Sequence, residues 1–166
     1  MAKFEHLRHK SPRQLNEPRG LVLACAPLRT AVNLSRIARA AGCCGVTRLV
    51  CAGRAKLDPK IARDAAETLT LECHRSLVPA LRKLREDGYT LVGLEQTTNS
   101  TNLHEYRFDR RTALVVGNER QGLTEDALAE LDAVVEIPVW GLPYSYNVAT
   151  ATVMAMYEYC RQWPDG

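Results

Sequence analysis

Three short polar groupings in this chain carry the residue types that handle phosphates, hydroxyls and backbone donors. Asn33, Arg36 and Arg39 recur at spacings of three in Asn33-Leu34-Ser35-Arg36-Ile37-Ala38-Arg39. On a helix, Asn33 and Arg36 share a face, as do Arg36 and Arg39, so a polar edge runs beside apolar Val32 and Ile37. An arginine there offers two donors at fixed geometry, the fork that grips a phosphate, although a solvated helix face has the same composition. Glu119 and Arg120 lie inside Gly117-Asn118-Glu119-Arg120-Gln121-Gly122, a glycine-bounded stretch that is otherwise an ordinary strand-to-helix turn. Ser145 and Asn147 flank Tyr146 behind Trp140-Gly141-Leu142-Pro143-Tyr144. Either can cap a helix beginning there, whose unpaired first amides then face whatever the loop surrounds.

These groupings need elements to hold them. Gly20 to Ala26 reads as a buried strand, followed by a helix from Thr30 to Ala41 closed by Gly42. Val46 to Ala52 is a second strand, and Asp58-Pro59 has the cap-then-proline order of a short helix. Leu69 to His74 reads as a further strand. Ser76 caps a helix over Leu77 to Asp87, with Leu77, Ala80, Leu81 and Leu84 as its apolar stripe and Gly88 closing it. Tyr89 to Glu95 and Thr112 to Val116 are strands separated by a polar, irregular stretch, Gln96 to Arg111. Thr124, Glu125 and Asp126 suit the first turn of a helix, where acidic groups meet the positive dipole end. Ala133 to Ile137 is a strand stopped by Pro138, which lacks a ladder donor. Strand and helix alternate throughout, so the chain reads as a single α/β domain with a mainly parallel sheet and helices on both faces.

In such sheets ligands bind beyond the carboxyl ends of the strands. Three loops occupy that position: Glu95-Gln96-Thr97-Thr98, Gly117 to Gly122, and Trp140 to Asn147. A nucleoside-sized ligand fits among them. Gly117 to Gly122 has the glycine separation of a P-loop, but Leu123-Thr124 stands where Lys-Ser/Thr is required. No Gly-x-Gly-x-x-Gly follows the first strand. Nucleotide hydrolysis and NAD binding therefore lose support.

At 166 residues the chain can bury roughly two-thirds of its unfolded surface without staples. Hydrophobic content of 46% with 25% charged residues suits a soluble globular domain, and no apolar run approaches the roughly 18 residues of a membrane span. The basic start, Met1 to Lys10, lacks the apolar centre of a secretory signal, which points to the cytoplasm and away from membranes. Six cysteines without a Cys-x-x-Cys pair or histidines at metal spacing read as core thiols, with no metal site expected. A net charge of +3 says little by itself, so the placement of cations matters. Lys3, Arg8, Lys10, Arg13 and Arg19 dot a basic segment, residues 1–19. Arg29, Arg36 and Arg39 surround the first helix, and Arg107, Arg110 and Arg111 precede Thr112. Together they would form a phosphate-binding face.

The three segments, in this order, resemble the three motifs of the SpoU family within the SPOUT class of RNA methyltransferases. Asn33 to Arg39 is similar to the first motif, Val116-Gly117-Asn118-Glu119-Arg120-Gln121-Gly122-Leu123 to the second, and Ile137-Pro138 through Ser145-Tyr146-Asn147-Val148 to the third. Tyr146 stands where the family more often has Leu or Met. The resemblance spans about Arg19 to Arg161. Gly88 to Thr97 and the Gly-Asn-Glu-Arg form of the second motif resemble the tRNA D-loop guanosine 2′-O-methyltransferases most. The resemblance implies a deep C-terminal trefoil knot within residues 20–163, against the near absence of true knots in proteins. It also implies S-adenosylmethionine as cofactor, a homodimer, and methyl transfer to a ribose 2′-hydroxyl of structured RNA, tRNA before rRNA, with guanosine 18 as one target. Rival readings are an rRNA 2′-O-methyltransferase, a base methyltransferase and a SPOUT-fold RNA-binding protein without catalysis.

Carried over as catalytic residues are Asn33, Arg39, Glu119, Ser145 and Asn147. The family's proposed base is the arginine at Arg39, yet arginine keeps its proton with a pKa above about 12. A phosphate anchor beside the target ribose is the alternative, with Glu119 orienting Arg39 or Asn33. Cofactor contacts are expected around Leu94, Glu95, Gln96, Val116, Gly117, Asn118, Glu119, Gly122, Ile137, Leu142, Ser145 and Asn147. RNA contacts are expected from Arg8, Lys10, Arg13, Arg19, Arg29, Arg36, Arg39 and Arg107, with recognition resting on the dimer surface and the basic segment.

Overall fold

The computed structural model describes residues 3–166, so the first two residues of the basic segment lie outside it. Short apolar runs rich in Val, Leu and Ala form the strands β1 (Val22–Cys25), β2 (Arg48–Ala52), β3 (Thr70–His74), β4 (Thr90–Leu94), β5 (Thr101–Asn102), β6 (Thr112–Val116) and β7 (Ala133–Glu136). Their order is β3-β2-β1-β6-β4-β7-β5 and every ladder is parallel. A sheet of this kind must be covered on both faces, which explains why β1 and β6 are buried along their whole length instead of alternating.

Helices α1 (Ala31–Cys43) and α6 (Val148–Gln162) lie on one face with the short α2 (Pro59–Ala62) and α3 (Ala65–Thr68), over a core including Leu23, Ile37, Leu49, Leu114, Met156 and Tyr159. Helix α4 (Leu77–Glu86) and short α5 (Glu125–Leu128) cover the other, over Val50, Leu81, Leu91 and Val115. Each fully buried leucine of these cores contributes roughly 1.5–3 kcal/mol, so the two layers fix the sheet that carries the loops. Helices on both faces of a parallel sheet are as the sequence predicts. Among the described residues, no helix is long and apolar enough to cross a membrane.

Several local expectations change. Helix α1 does not stop at Gly42. It runs to Cys43, and the Cys44 amide donates to Ala40 O at 3.0 Å, while Gly45 takes the positive φ of 72° that turns the chain. Gly42 serves packing instead, since a Cβ there would come within 2.9 Å of Ala65 Cβ on α3. Ser76 begins α4 with an extended backbone, but its hydroxyl makes no cap bond. The stretch from Gln96 to Arg111, expected to be irregular, contains β5, and buries Leu103 and Phe108. Phe108 stacks edge-on against Tyr106 (4.9 Å) and Tyr159 (5.9 Å), and its carbonyl accepts from Trp163 Nε1 at 3.0 Å.

The cysteines do not all lie in the core. Cys25 and Cys51 do, but Cys43 and Cys73 are exposed, and Cys44 and Cys160 are half-buried where α1 and α6 end together. Cys73 lies between Glu72 and His74 on β3, and Cys43 is the last residue of α1, so neither position belongs to a buried apolar run.

Candidate functional site

The three polar loops meet at the carboxyl edge of the sheet around one cleft of about 310 Å³. That volume lies at the lower end for small-molecule sites, which start near roughly 300 Å³. After β4, Leu94, Glu95 and Gln96 form one wall. After β6, Val116 to Arg120 and Gly122 form the second. Glu136, Ile137 and Val139 form the third with Ser145 and Tyr146, and Val148 and Ala151 of α6 close the floor.

The second wall is a closed loop. Asn118 and Gly122 exchange both backbone hydrogen bonds at 2.9 Å, and Asn118 Oδ1 accepts from the amides of Arg120 (2.9 Å) and Gln121 (3.2 Å). Gly122 takes a positive φ of 64°, and a Cβ on it would run into Glu95. Glu95 in turn accepts from the amides of Gln96 (3.0 Å) and Leu123 (3.1 Å), joining the first wall to the second. The third wall joins the first through Gln96 Nε2, which donates to Tyr144 O at 3.3 Å. Ser100 Oγ donates to Glu136 Oε2 at 2.8 Å. The Leu142–Pro143 bond is cis.

A chain of side-chain hydrogen bonds then crosses all three polar groupings. Asn147 Nδ2 donates to Asn33 Oδ1 (3.3 Å), Asn33 Nδ2 donates to Glu119 Oε1 (2.9 Å), and the Arg29 amide donates to Glu119 Oε2 (2.8 Å). Asn33 is buried on the inner side of α1, held there by Thr30, whose hydroxyl accepts from the Asn33 amide. Partial burial of Glu119 pushes its carboxyl up, but the hydrogen bonds from Asn33 and the Arg29 amide outweigh this and hold it below the ordinary carboxylate range. A carboxyl lowered by folding stabilises the fold above its ordinary pKa of about 4.3, and that contribution is lost as pH falls through the depressed value. The gap in melting temperature between the wild type and Glu119→Gln should therefore be open at pH 6–7 and close in acid below the ordinary range. A gap that does not vary with pH would contradict the network.

The helix cap goes to Asn147, whose Oδ1 accepts from Ala149 (2.9 Å) and Thr150 (3.4 Å), and not to Ser145, which faces the cleft. Of the residues expected around a cofactor, Leu94, Glu95, Gln96, Val116, Gly117, Asn118, Glu119, Gly122, Ile137 and Ser145 line the cleft. Asn147 and Leu142 do not: Asn147 caps α6 instead, and Leu142 is 76% exposed, because the loop carries it outward with Trp140 and Tyr144. Sequence reasoning missed Glu136, although it ends β7 as Glu95 follows β4, in the same edge position.

The cations divide into two sets. Arg36, Arg39, Arg29 and Arg107 are exposed, as are Arg8, Lys10 and Arg13 of the N-terminal segment. Arg19, by contrast, is half-buried and engaged within the fold: its Nε donates to Cys44 O (3.0 Å) and its Nη1 to Trp163 O, at the ends of α1 and α6. Arg110 is engaged in the same way by Pro18 O (2.9 Å) and Glu17 (2.7 Å). Arg39 lies six residues beyond Asn33, about 9 Å further along α1 and away from the carboxyl edge, and is not among the residues lining the cleft.

The fold and the site together define an α/β protein with a wholly parallel sheet and one small cleft at its carboxyl edge, where ligands bind in such sheets. The chain belongs to the SpoU rRNA Methylase family, which matches residues 20–157. Among relatives, the mouse tRNA (guanosine(18)-2′-O)-methyltransferase TARBP1 is 40% identical over 86 residues, 52% of this chain and 5% of that protein. The crystal structure of the A. aeolicus TrmH/SpoU tRNA modifying enzyme has a TM-score of 0.83 at 27% identity, covering 90% of this chain and 78% of that one. The SpoU methyltransferase AviRb from Streptomyces viridochromogenes, in complex with the cofactor AdoMet, gives 0.77 at 27% identity, over 90% and 63%. The chain spans about half the length of some bacterial relatives, as with 47% of the Borreliella burgdorferi tRNA (guanosine(18)-2′-O)-methyltransferase.

Proposed function

We propose that this chain is an S-adenosylmethionine-dependent RNA methyltransferase that acts on a ribose 2′-hydroxyl of structured RNA, tRNA before rRNA, with guanosine 18 as the leading target. The observation that carries the reading is the hydrogen-bonded chain Asn147–Asn33–Glu119, which unites the three family motifs beside the cleft. Relatives named as tRNA (guanosine(18)-2′-O)-methyltransferases and the AdoMet complex of AviRb support the choice of substrate and cofactor.

The cleft suits that cofactor. Leu94, Val116, Ile137 and Val148 give apolar surface for an adenine, the closed Gly117–Gly122 loop supplies backbone groups along the second wall, and Ser145 faces inward. Bound there, the cofactor supplies an electrophilic methyl group on a sulfonium. The protein's part is positioning. Glu119 spends both carboxylate oxygens on Asn33 and the Arg29 amide, so it orients α1 against the second wall and does not act as a base. Arg39 retains its proton and holds a phosphate beside the target ribose, its field favouring the alkoxide as the hydroxyl proton leaves.

Arg39 shares an exposed face of α1 with Val32 and Arg36, while Val153, Met154 and Tyr157 are exposed on α6 and Trp140 and Tyr144 on the third wall. This apolar surface supports a homodimer in which Arg39 of one subunit serves the cleft of the other. The family reading also carries a C-terminal trefoil knot formed by the third wall and α6, and a basic N-terminal segment ahead of residues 20–163. Sedimentation should give a dimer for the wild type and a monomer for Tyr157→Asp; a wild-type monomer would contradict the shared site. Titration calorimetry should show one S-adenosylmethionine per chain, with Ser145→Ala about tenfold weaker. Absence of binding to the wild type would favour an RNA-binding protein without catalysis.

A further inference from the structure

A second cleft, of about 190 Å³, is lined by a segment that is hydrogen-bonded to the second wall of the first. That segment, residues 26–30, is pinned from the cofactor side: Asn118 Nδ2 donates to Pro27 O at 2.7 Å, and the Arg29 amide donates to Glu119 at 2.8 Å. Its other side opens towards the loop after β2. The floor is apolar, made by Leu28, Leu34, Cys51 and Ala55, and the rim carries Arg29, Arg54 and Lys56. Among the described residues, no acidic one lines it. All three cations are exposed, and among the described residues none has an ion pair.

Several other surface cations are neutralised by a neighbouring acid. Arg48, Arg82, Arg85, Lys83 and Arg161 each have a carboxylate partner within 4.0 Å. Three cations from two separate loops, gathered around one concavity without an acid, repel one another until an anion arrives. The apolar floor adds a requirement, because a bare anion makes no use of it. A nucleotide of an RNA strand meets both needs, with its phosphate on the rim cations and its sugar or base against Leu28, Leu34 and Ala55.

We infer that this second cleft binds the RNA nucleotide adjoining the methylated one, with Arg54 and Lys56 joining Arg29 as its phosphate contacts. The inference rests on the proposed RNA methylation, and it gives that reaction a register: one strand passes over residues 26–30, target ribose at the first cleft and neighbouring phosphate at the second. Arg29 then couples the two clefts, its backbone holding Glu119 and its side chain meeting RNA.

The test uses the full chain and a fluorescein-labelled tRNA transcript, with binding read by anisotropy across a salt series and S-adenosylmethionine affinity read by calorimetry. Arg54→Glu/Lys56→Glu should weaken RNA binding at least tenfold and lower the salt slope by about 1.4 to 1.8, the loss of two phosphate contacts, with cofactor affinity unchanged. Arg54→Lys/Lys56→Arg should bind as the wild type does. Arg82→Glu/Lys83→Glu, on α4 across the sheet, applies the same change of charge elsewhere and should have little effect. Unchanged binding by the cleft variant, or equal weakening by the α4 variant, overturns the inference. A wild type that binds RNA through this cleft but transfers no methyl group would leave the cleft standing and remove the catalytic reading; a wild type that binds no RNA removes both.

Discussion

Replacing Gly117 by alanine should cost this protein both its cofactor site and a measurable part of its stability. Gly117 is buried at the exit of β6, and a Cβ on it would come within 2.7 Å of Leu123 N and 2.8 Å of Gly122 Cα. Those atoms are backbone, so no flexible side chain can yield. The loop must open, breaking the paired Asn118–Gly122 hydrogen bonds and displacing Leu123 N from Glu95. Overpacking of this kind costs about 2–3 kcal/mol, which lowers the melting temperature of a domain this size by about 4 to 12 °C. Cofactor affinity should fall about 100-fold or more, since the first and second walls separate together. Scanning calorimetry and cofactor titration check both, and an alanine variant equal to the wild type in each would refute the closed-loop geometry.

Arg39→Ala should act in the opposite way, removing turnover while leaving fold and cofactor binding intact. The side chain is exposed and lies outside the cleft, so its loss removes no packing. Loss of one preorganised donor from a site where charge develops typically costs about 10²- to 10³-fold in kcat. Arg39→Lys should recover little of it, because an ammonium lacks the planar fork. The shared site adds a sharper expectation: mixing inactive Arg39→Ala and inactive Gly117→Ala chains should restore activity, since some dimers carry one intact cleft facing one intact arginine. Strictly additive inactivity in the mixture would place Arg39 and the cleft in the same subunit.

The legible parts of this fold are those set by local chemistry. Thr112 to Val116 forms β6 as its unbroken apolar run indicates, and Asp58-Pro59 caps and starts α2 through Lys60 N, 2.9 Å from Asp58 Oδ1. Glu95, Gln96, Asn118 and Glu119 are legible because they follow β4 and β6 at the sheet's carboxyl edge, whereas Glu136 is hidden as the last residue of β7. The less legible parts depend on distant partners. Leu103 and Phe108 look like isolated apolar residues in a polar stretch, and only α6, some 50 residues on, gives them a core. Arg19 reads as a free charge because its acceptors, Cys44 O and Trp163 O, lie 25 and 144 residues away. Whether Ser145 or Asn147 caps α6 could not be settled by residue type, since both are good caps. The structure gives the cap to Asn147 and leaves Ser145 facing the cleft, so one polar pair divides into a structural and a binding member.

The most direct measurement is the fate of a labelled methyl group. The chain is incubated with methyl-labelled S-adenosylmethionine and total tRNA and rRNA, and the RNA is digested to nucleosides. The label should appear as a 2′-O-methylnucleoside, in tRNA and on guanosine. Label on a base, or no transfer by a chain that binds the cofactor, would contradict the account.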